Sequence, residues 1–233
     1  MSARRMALAA ALAAWPLIAS AAEPVRSVPI YVEPYYRSAA TPQDEPQVDV
    51  GKQFDALLAS NKREDILAAR DLVETRPKLV TPMTMMVLAI RFYDVGLRDD
   101  AVFWFYAAKD RYIVMSEVLD VKTPKIAPAD DAMRSFSTLA GPVINGYAFC
   151  DLAKQQELRA KAVAWVESHP YGVIFMASAP ALPGDRAANH RRAIANAKDR
   201  AAKEHAYFAD AKTVEAFYAT RKRNDADVKF CWK

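Results

Sequence analysis

The side chains able to do chemistry are few: three histidines, two cysteines and four pairs of adjacent acids in 233 residues. His190 and His205 stand fifteen apart in what reads as one helix. That spacing puts them on nearly the same stripe but about 22 Å apart, too far to share a metal or a substrate atom. On such a stripe a partly buried, hydrogen-bonded histidine is expected. His169 precedes Pro170 at a helix end, where an imidazole can cap free carbonyls. None of the three belongs to a ligand set such as His-Glu-x-x-His. Cys150 and Cys231 are too few for a zinc site. The acid pairs Asp44-Glu45, Glu64-Asp65, Asp99-Asp100 and Asp130-Asp131 mostly mark helix starts, where the dipole favours negative charge. No glycine-rich phosphate loop and no Gly-x-Ser-x-Gly elbow occurs. The expectation is a chain without catalysis, metal or cofactor.

The beginning of the chain has the pattern of a cleaved export signal. Arg4 and Arg5 precede an apolar run, residues 6–18, broken by Pro16, and Ala19, Ser20, Ala21 and Ala22 offer small residues for cleavage. The run is too short to span a bilayer. No cysteine follows the cleavage point to carry a lipid, so no membrane anchor is expected. Residues 1–22 are therefore read as a signal peptide removed near Ala22, and the destination as a bacterial periplasm. Cleavage there leaves 211 residues and lowers the formal charge from +4 to +2. In an oxidising compartment an even pair of cysteines predicts one disulfide, Cys150 to Cys231.

The elements follow from composition. Half of the residues are apolar, glycines number six, and no alternating strand pattern has any length. That predicts an all-α fold. From 23 to 50 five prolines forbid a long helix, and Tyr31, Tyr35 and Tyr36 make this segment too aromatic for a solvated linker. It reads as a strap across the helices, with the tyrosines rimming a groove. Residues 51–233 read as one helical domain. Asn61 and Glu64 have the spacing of a capping box ahead of a helix through Val73. Asp130 is expected to cap a short helix ended by Gly141-Pro142. A longer helix follows from Val143, bending near Asp151 and stopping at His169-Pro170, and Val173, Ile174, Phe175 and Met176 are expected to be buried beyond it. A long helix runs from about Arg186 to Phe208 with an Ala-rich stripe through Ile194, Ala197 and Ala201, and Asp210 starts a last one. From Asp185 onward twelve Lys/Arg face seven Asp/Glu, a solvated helix face. Phe230-Cys231-Trp232 is a hydrophobic latch to be pinned at Cys150.

Everything is organised around residues 81–113. Thr81-Pro82 reads as an N-cap followed by proline at the first helical position, Gly96 as a turn, and residues 101–108 are apolar without a gap. A helix apolar all round must be covered all round, so this second helix is expected at the centre of the core. Leu88, Ala89, Phe92, Gly96, Ala101, Phe105 and Ala108 resemble one tetratricopeptide repeat, and Tyr93, Gly96, Ala101 and Trp104 resemble the related Sel1 repeat. Met85 and Ile113 depart from the preferred tryptophan and proline. The resemblance implies stacked helical hairpins that bind a partner through the first helix, here Met83, Met86, Ile90, Tyr93 and Asp94. The functional expectation is a periplasmic protein that binds another protein or peptide, as an assembly factor or a toxin-neutralising inhibitor. Export argues against nucleic acid as a partner. The alternative is a small-molecule-binding protein or hydrolase with its pocket beneath the tyrosine strap.

Overall fold

The computed structural model of the chain describes residues 22–28 and 52–232. Tyr31, Tyr35, Tyr36, Asp44, Glu45 and the leader before Ala22 lie outside the described residues. Within them the fold is all-α: α1 Lys52–Ala59, α2 Arg63–Thr75, α3 Pro82–Asp94, α4 Arg98–Ser116, α5 Ala127–Ala148, α6 Leu152–Ser168, α7 Arg186–Tyr207, α8 Ala211–Arg223 and α9 Ala226–Phe230. Short 3-10 turns at Pro77–Leu79 and Gly172–Phe175 link α2 to α3 and follow α6. One isolated antiparallel bridge joins Leu119 to Ala181.

The α3–α4 hairpin forms as its residues dictate. Thr81 Oγ1 accepts the Thr84 amide at 3.0 Å, Pro82 needs no partner for a missing N–H, and Gly96 turns the chain at φ +81°, where a side chain would be strained. α4 lies at the centre of the core as expected, packed against α3, α5, α6 and α7. Of residues 101–108 in α4 only Phe103 keeps some exposure, and α3 is buried at every position from Pro82 to Ile90. The two helices differ in charge. Residues 82–90 hold none, whereas α4 continues into Lys109, Asp110 and Arg111, which need polar company.

That company is specific. Asp110 is buried and forms a two-pronged ion pair with Arg159 of α6. Arg111, 1 % exposed, donates to the carbonyls of Pro77 (2.7 Å), Val80 (2.8 Å) and His169 (2.5 Å). Its guanidinium also lies 4.6 Å from the Trp165 ring centre. Burial lowers its pKa to about 10. One buried cation thus ties the entry to α3 and the exit from α6 onto α4, with carbonyl dipoles standing in for a carboxylate.

Several local expectations are corrected. No capping box forms at α2: its N-cap is Lys62, without a side-chain cap, and Asn61 Oδ1 accepts from Arg91 at 2.6 Å instead. α5 runs unbroken through Gly141-Pro142; Gly141 is buried facing Phe105, and packing on α3 and α4 outweighs the lost backbone bond. Asp130 lies in the first turn of α5, accepting from Tyr112 and paired with Arg134 at 3.2 Å. The expected bend near Asp151 is a full break, and Asp151 caps α6 by accepting the Lys154 amide at 2.9 Å. Of residues 173–176 only Ile174 is buried; Phe175 and Met176 are exposed. Ile174 joins a small second cluster with Met115, Leu119, Ile126 and Tyr171.

Candidate functional site

Where α3 ends, two of the expected partner-binding residues hold a short irregular segment of the chain itself, residues 25–28, which bends at Ser27. Tyr93 Oη donates to the Val25 carbonyl at 2.9 Å, and Asp94 Oδ1 accepts the Val28 amide at 3.0 Å. The other Asp94 oxygen accepts from Arg91 at 2.7 Å. Burial pushes the Asp94 carboxyl above its ordinary range, and the Val28 amide and Arg91 hold it back. Tyr93 is raised too, again chiefly by burial. Val28 is buried in the main core.

The other wall of this seat is the C-terminal tail. The Val25 amide donates to the Lys229 carbonyl at 2.7 Å, and Trp232 Nε1 donates to the Val25 carbonyl at 3.2 Å. Two cations lie over the Trp232 indole, Arg26 at 4.6 Å and Arg98 at 4.1 Å from its centre. Such contacts contribute about 0.5–2 kcal/mol each, more where water is excluded. Arg98 also donates to the carbonyls of Phe230 (3.3 Å) and Trp232 (2.7 Å) and stacks on Tyr147 at 4.4 Å.

The tail is held at one further place. Cys150 and Cys231 form a disulfide, with Cα atoms 5.5 Å apart and a sequence separation of 81. Beside it the Phe230 ring lies on Gly146 so closely that a Cβ there would stand 2.6 Å from Cδ2. Arg221, the one buried residue of α8, places Nη2 3.3 Å from Cys231 Sγ and 3.6 Å from Cys150 Sγ. The same guanidinium donates to Gly146 O and to Asp227, both at 3.1 Å.

The remaining expected contact residues do not join this seat. Met83, Met86 and Ile90 are at most 2 % exposed, enclosed between neighbouring helices. The expectation that they face a partner is corrected: all three belong to the main hydrophobic core. Tyr93 shares their burial, and only its hydroxyl serves the seat. Sequence reasoning missed Arg98, Lys229 and Trp232 as seat residues. It identified the tail as a latch, but a cation next to an acidic helix start gave no sign of its distant aromatic partners.

The histidines stay apart. His169 Nδ1 lies 2.9 Å from the Trp165 carbonyl, the expected cap. His190 is half-buried edge-on to Phe175 at 5.4 Å, with Nε2 unpartnered and its pKa lowered by burial and by Arg191. His205 is exposed on the rim of an open groove of about 210 Å³ between α6 and α7, floored by Ala160, Ala201 and Ala202. The hydrogen-bonded stripe expected for this pair is therefore corrected. Asp99 accepts from Tyr147 Oη at 2.7 Å, and Glu64, Asp65, Asp99, Asp100 and Asp130 all sit in first helical turns. Among the described residues no group of three or more His, Cys, Asp or Glu could hold a metal ion, and no helix is long and apolar enough to cross a membrane.

Comparison with known proteins adds one close relation. Over 210 residues the chain is 38 % identical to a protein of Haemophilus influenzae described as an uncharacterized protein, covering 90 % of this chain and 81 % of that one. No family model matches the chain, and no solved structure matches it.

Proposed function

The chain belongs to the same family as that Haemophilus influenzae protein, and we propose that it is an exported, non-catalytic binding protein of the periplasm that holds a short segment of a partner protein at the end of α3. The observation that carries this is the seating of residues 25–28. Tyr93, Asp94, Trp232 and the Lys229 carbonyl address main-chain N–H and C=O groups. A seat that reads backbone recognises a peptide by its main chain, and the buried Val28 side chain supplies the one apolar choice. The strap is then the resident occupant, and its tether gives it an advantage that a partner must outcompete. Export rests on Arg4, Arg5, the apolar run and the small residues up to Ala22. The disulfide suits the oxidising compartment that export would reach.

The test uses the mature chain recovered from its host, whose intact mass should correspond to a start at about residue 23; a chain beginning at Met1 overturns the export reading. In that protein Val28→Asp places a carboxylate against Asp94 and unseats the strap. A synthetic peptide with the sequence of residues 23–30 is then titrated and followed by NMR. Expected are saturable shifts at Tyr93, Asp94, Arg98 and Trp232, with a Kd in the range of about 0.1–1 mM for so short a contact. Asp94→Ala in the same background should abolish them. Absent shifts, or shifts indifferent to Asp94→Ala, overturn the seat.

A further inference from the structure

The seat has two walls of different character. One is α3, rooted in the core. The other is residues 229–232, which belong to a tail that covers little: α8 buries Arg221 alone, and α9 buries no residue. This tail is fastened to α5 by the Cys150–Cys231 bond, the Phe230 contact with Gly146, the Arg221 hydrogen bond to Gly146 and the Phe217 ring 5.0 Å from Phe149, and to α4 by Arg98. Neither cysteine is fully buried as a residue. The Arg221 guanidinium touches both sulfurs, where it favours a thiolate over a thiol. Asp227 is the acid that opposes it, 3.4 Å from Cys231 Sγ and paired with Arg221.

We propose that the Cys150–Cys231 bond is a thiol-operated clasp: its reduction frees the tail and opens the seat for residues 25–28, while the α3–α4 core stays folded. The proposal rests on the peptide-seat reading for its purpose, not for its physics. The co-reactant is a dithiol of the thiol–disulfide exchange class. Its first thiolate attacks Cys231 Sγ, forming a mixed disulfide and expelling Cys150 as a thiolate beside Arg221. Its second thiol, deprotonated, attacks its own sulfur in the mixed disulfide and expels Cys231. Two electrons pass to the cysteine pair, two protons follow from the dithiol, and the reductant leaves as a disulfide. Loss of the covalent tie lets α9 lift from Gly146. The Lys229 carbonyl and the Trp232 indole leave Val25 with it, and half of the seat is gone. Local opening of this kind draws on the least packed part of a fold.

Amide exchange read by mass spectrometry on the full mature chain, with and without dithiothreitol, tests this. Reduction should speed exchange of residues 25–28 and 224–232 at least about tenfold and leave α3 and α4 unchanged. Unchanged exchange in the strap overturns the clasp, because packing would then hold the seat without the bond. Faster exchange throughout α3 and α4 overturns it too, because the bond would then be a staple for the whole fold. Cys150→Ser with Cys231→Ser should reproduce the reduced pattern without reductant. Arg221→Gln, which keeps hydrogen-bonding capacity, should slow dithiothreitol reduction about threefold and slow iodoacetamide capture of the reduced thiols; unaltered rates would remove Arg221 from the device. Peptide capture is not read here, so a failed clasp leaves the peptide titration standing, and a failed titration leaves the clasp standing.

Discussion

The α3–α4 hairpin and the terminal clasp are held by different forces. In the hairpin, consecutive residues lose all contact with water and the stabilisation is apolar area and close packing. In the clasp the strap and the tail meet through hydrogen bonds to main chain, cations stacked on one indole and a single covalent bond, with Val28 as its main buried apolar side chain. Apolar burial is shared among many neighbours, so no one residue switches it. A surface built from a few directional contacts fails when one of them is removed, which is why a seat that must open is built that way.

The comparison is broken most severely from the core side. Trp104 is 1 % exposed, with its ring 5.2 Å from Trp165. Trp104→Ala should cost about 3–5 kcal/mol in urea unfolding; an unchanged midpoint would mean that the hairpin is not the centre of stability. On the clasp side, Gly146→Ala forces the Phe230 ring away from α5. It should cost about 1–3 kcal/mol as overpacking and raise exchange in the strap and tail alone. Equal loosening of α3 would merge the two regions into one.

The smallest effect concerns pH. The Asp94 carboxyl has its pKa raised in the fold, mainly by burial, so between the ordinary carboxylate range and the raised value the folded chain binds a proton that the unfolded chain does not. In that window stability contributed at this site rises as pH falls, and at higher pH the buried charge works against the fold. Asp94→Asn removes this slope. The difference in urea stability between parent and variant across pH 4 to 7 should therefore tilt in that direction, and a difference flat with pH would place Asp94 in contact with water.

What the sequence determined by itself was local or compositional. The cap at Thr81, the turn at Gly96, the start of α7 near Arg186, the start of α8 at Asp210 and the all-α class follow from residue types over a few positions, because helix signals act within one or two turns. The pairing of Cys150 with Cys231 was legible too, since two cysteines allow one bond. Tertiary structure decided what depends on which surfaces meet. It enclosed α3 as fully as α4, carried α5 through Gly141-Pro142, and buried Met83, Met86 and Ile90 in the main core. It alone brought Val25 and Val28 to Tyr93, Asp94 and Trp232, up to 207 positions away along the chain. Contacts over such separations leave no periodicity, because each side carries only its own half of the pattern.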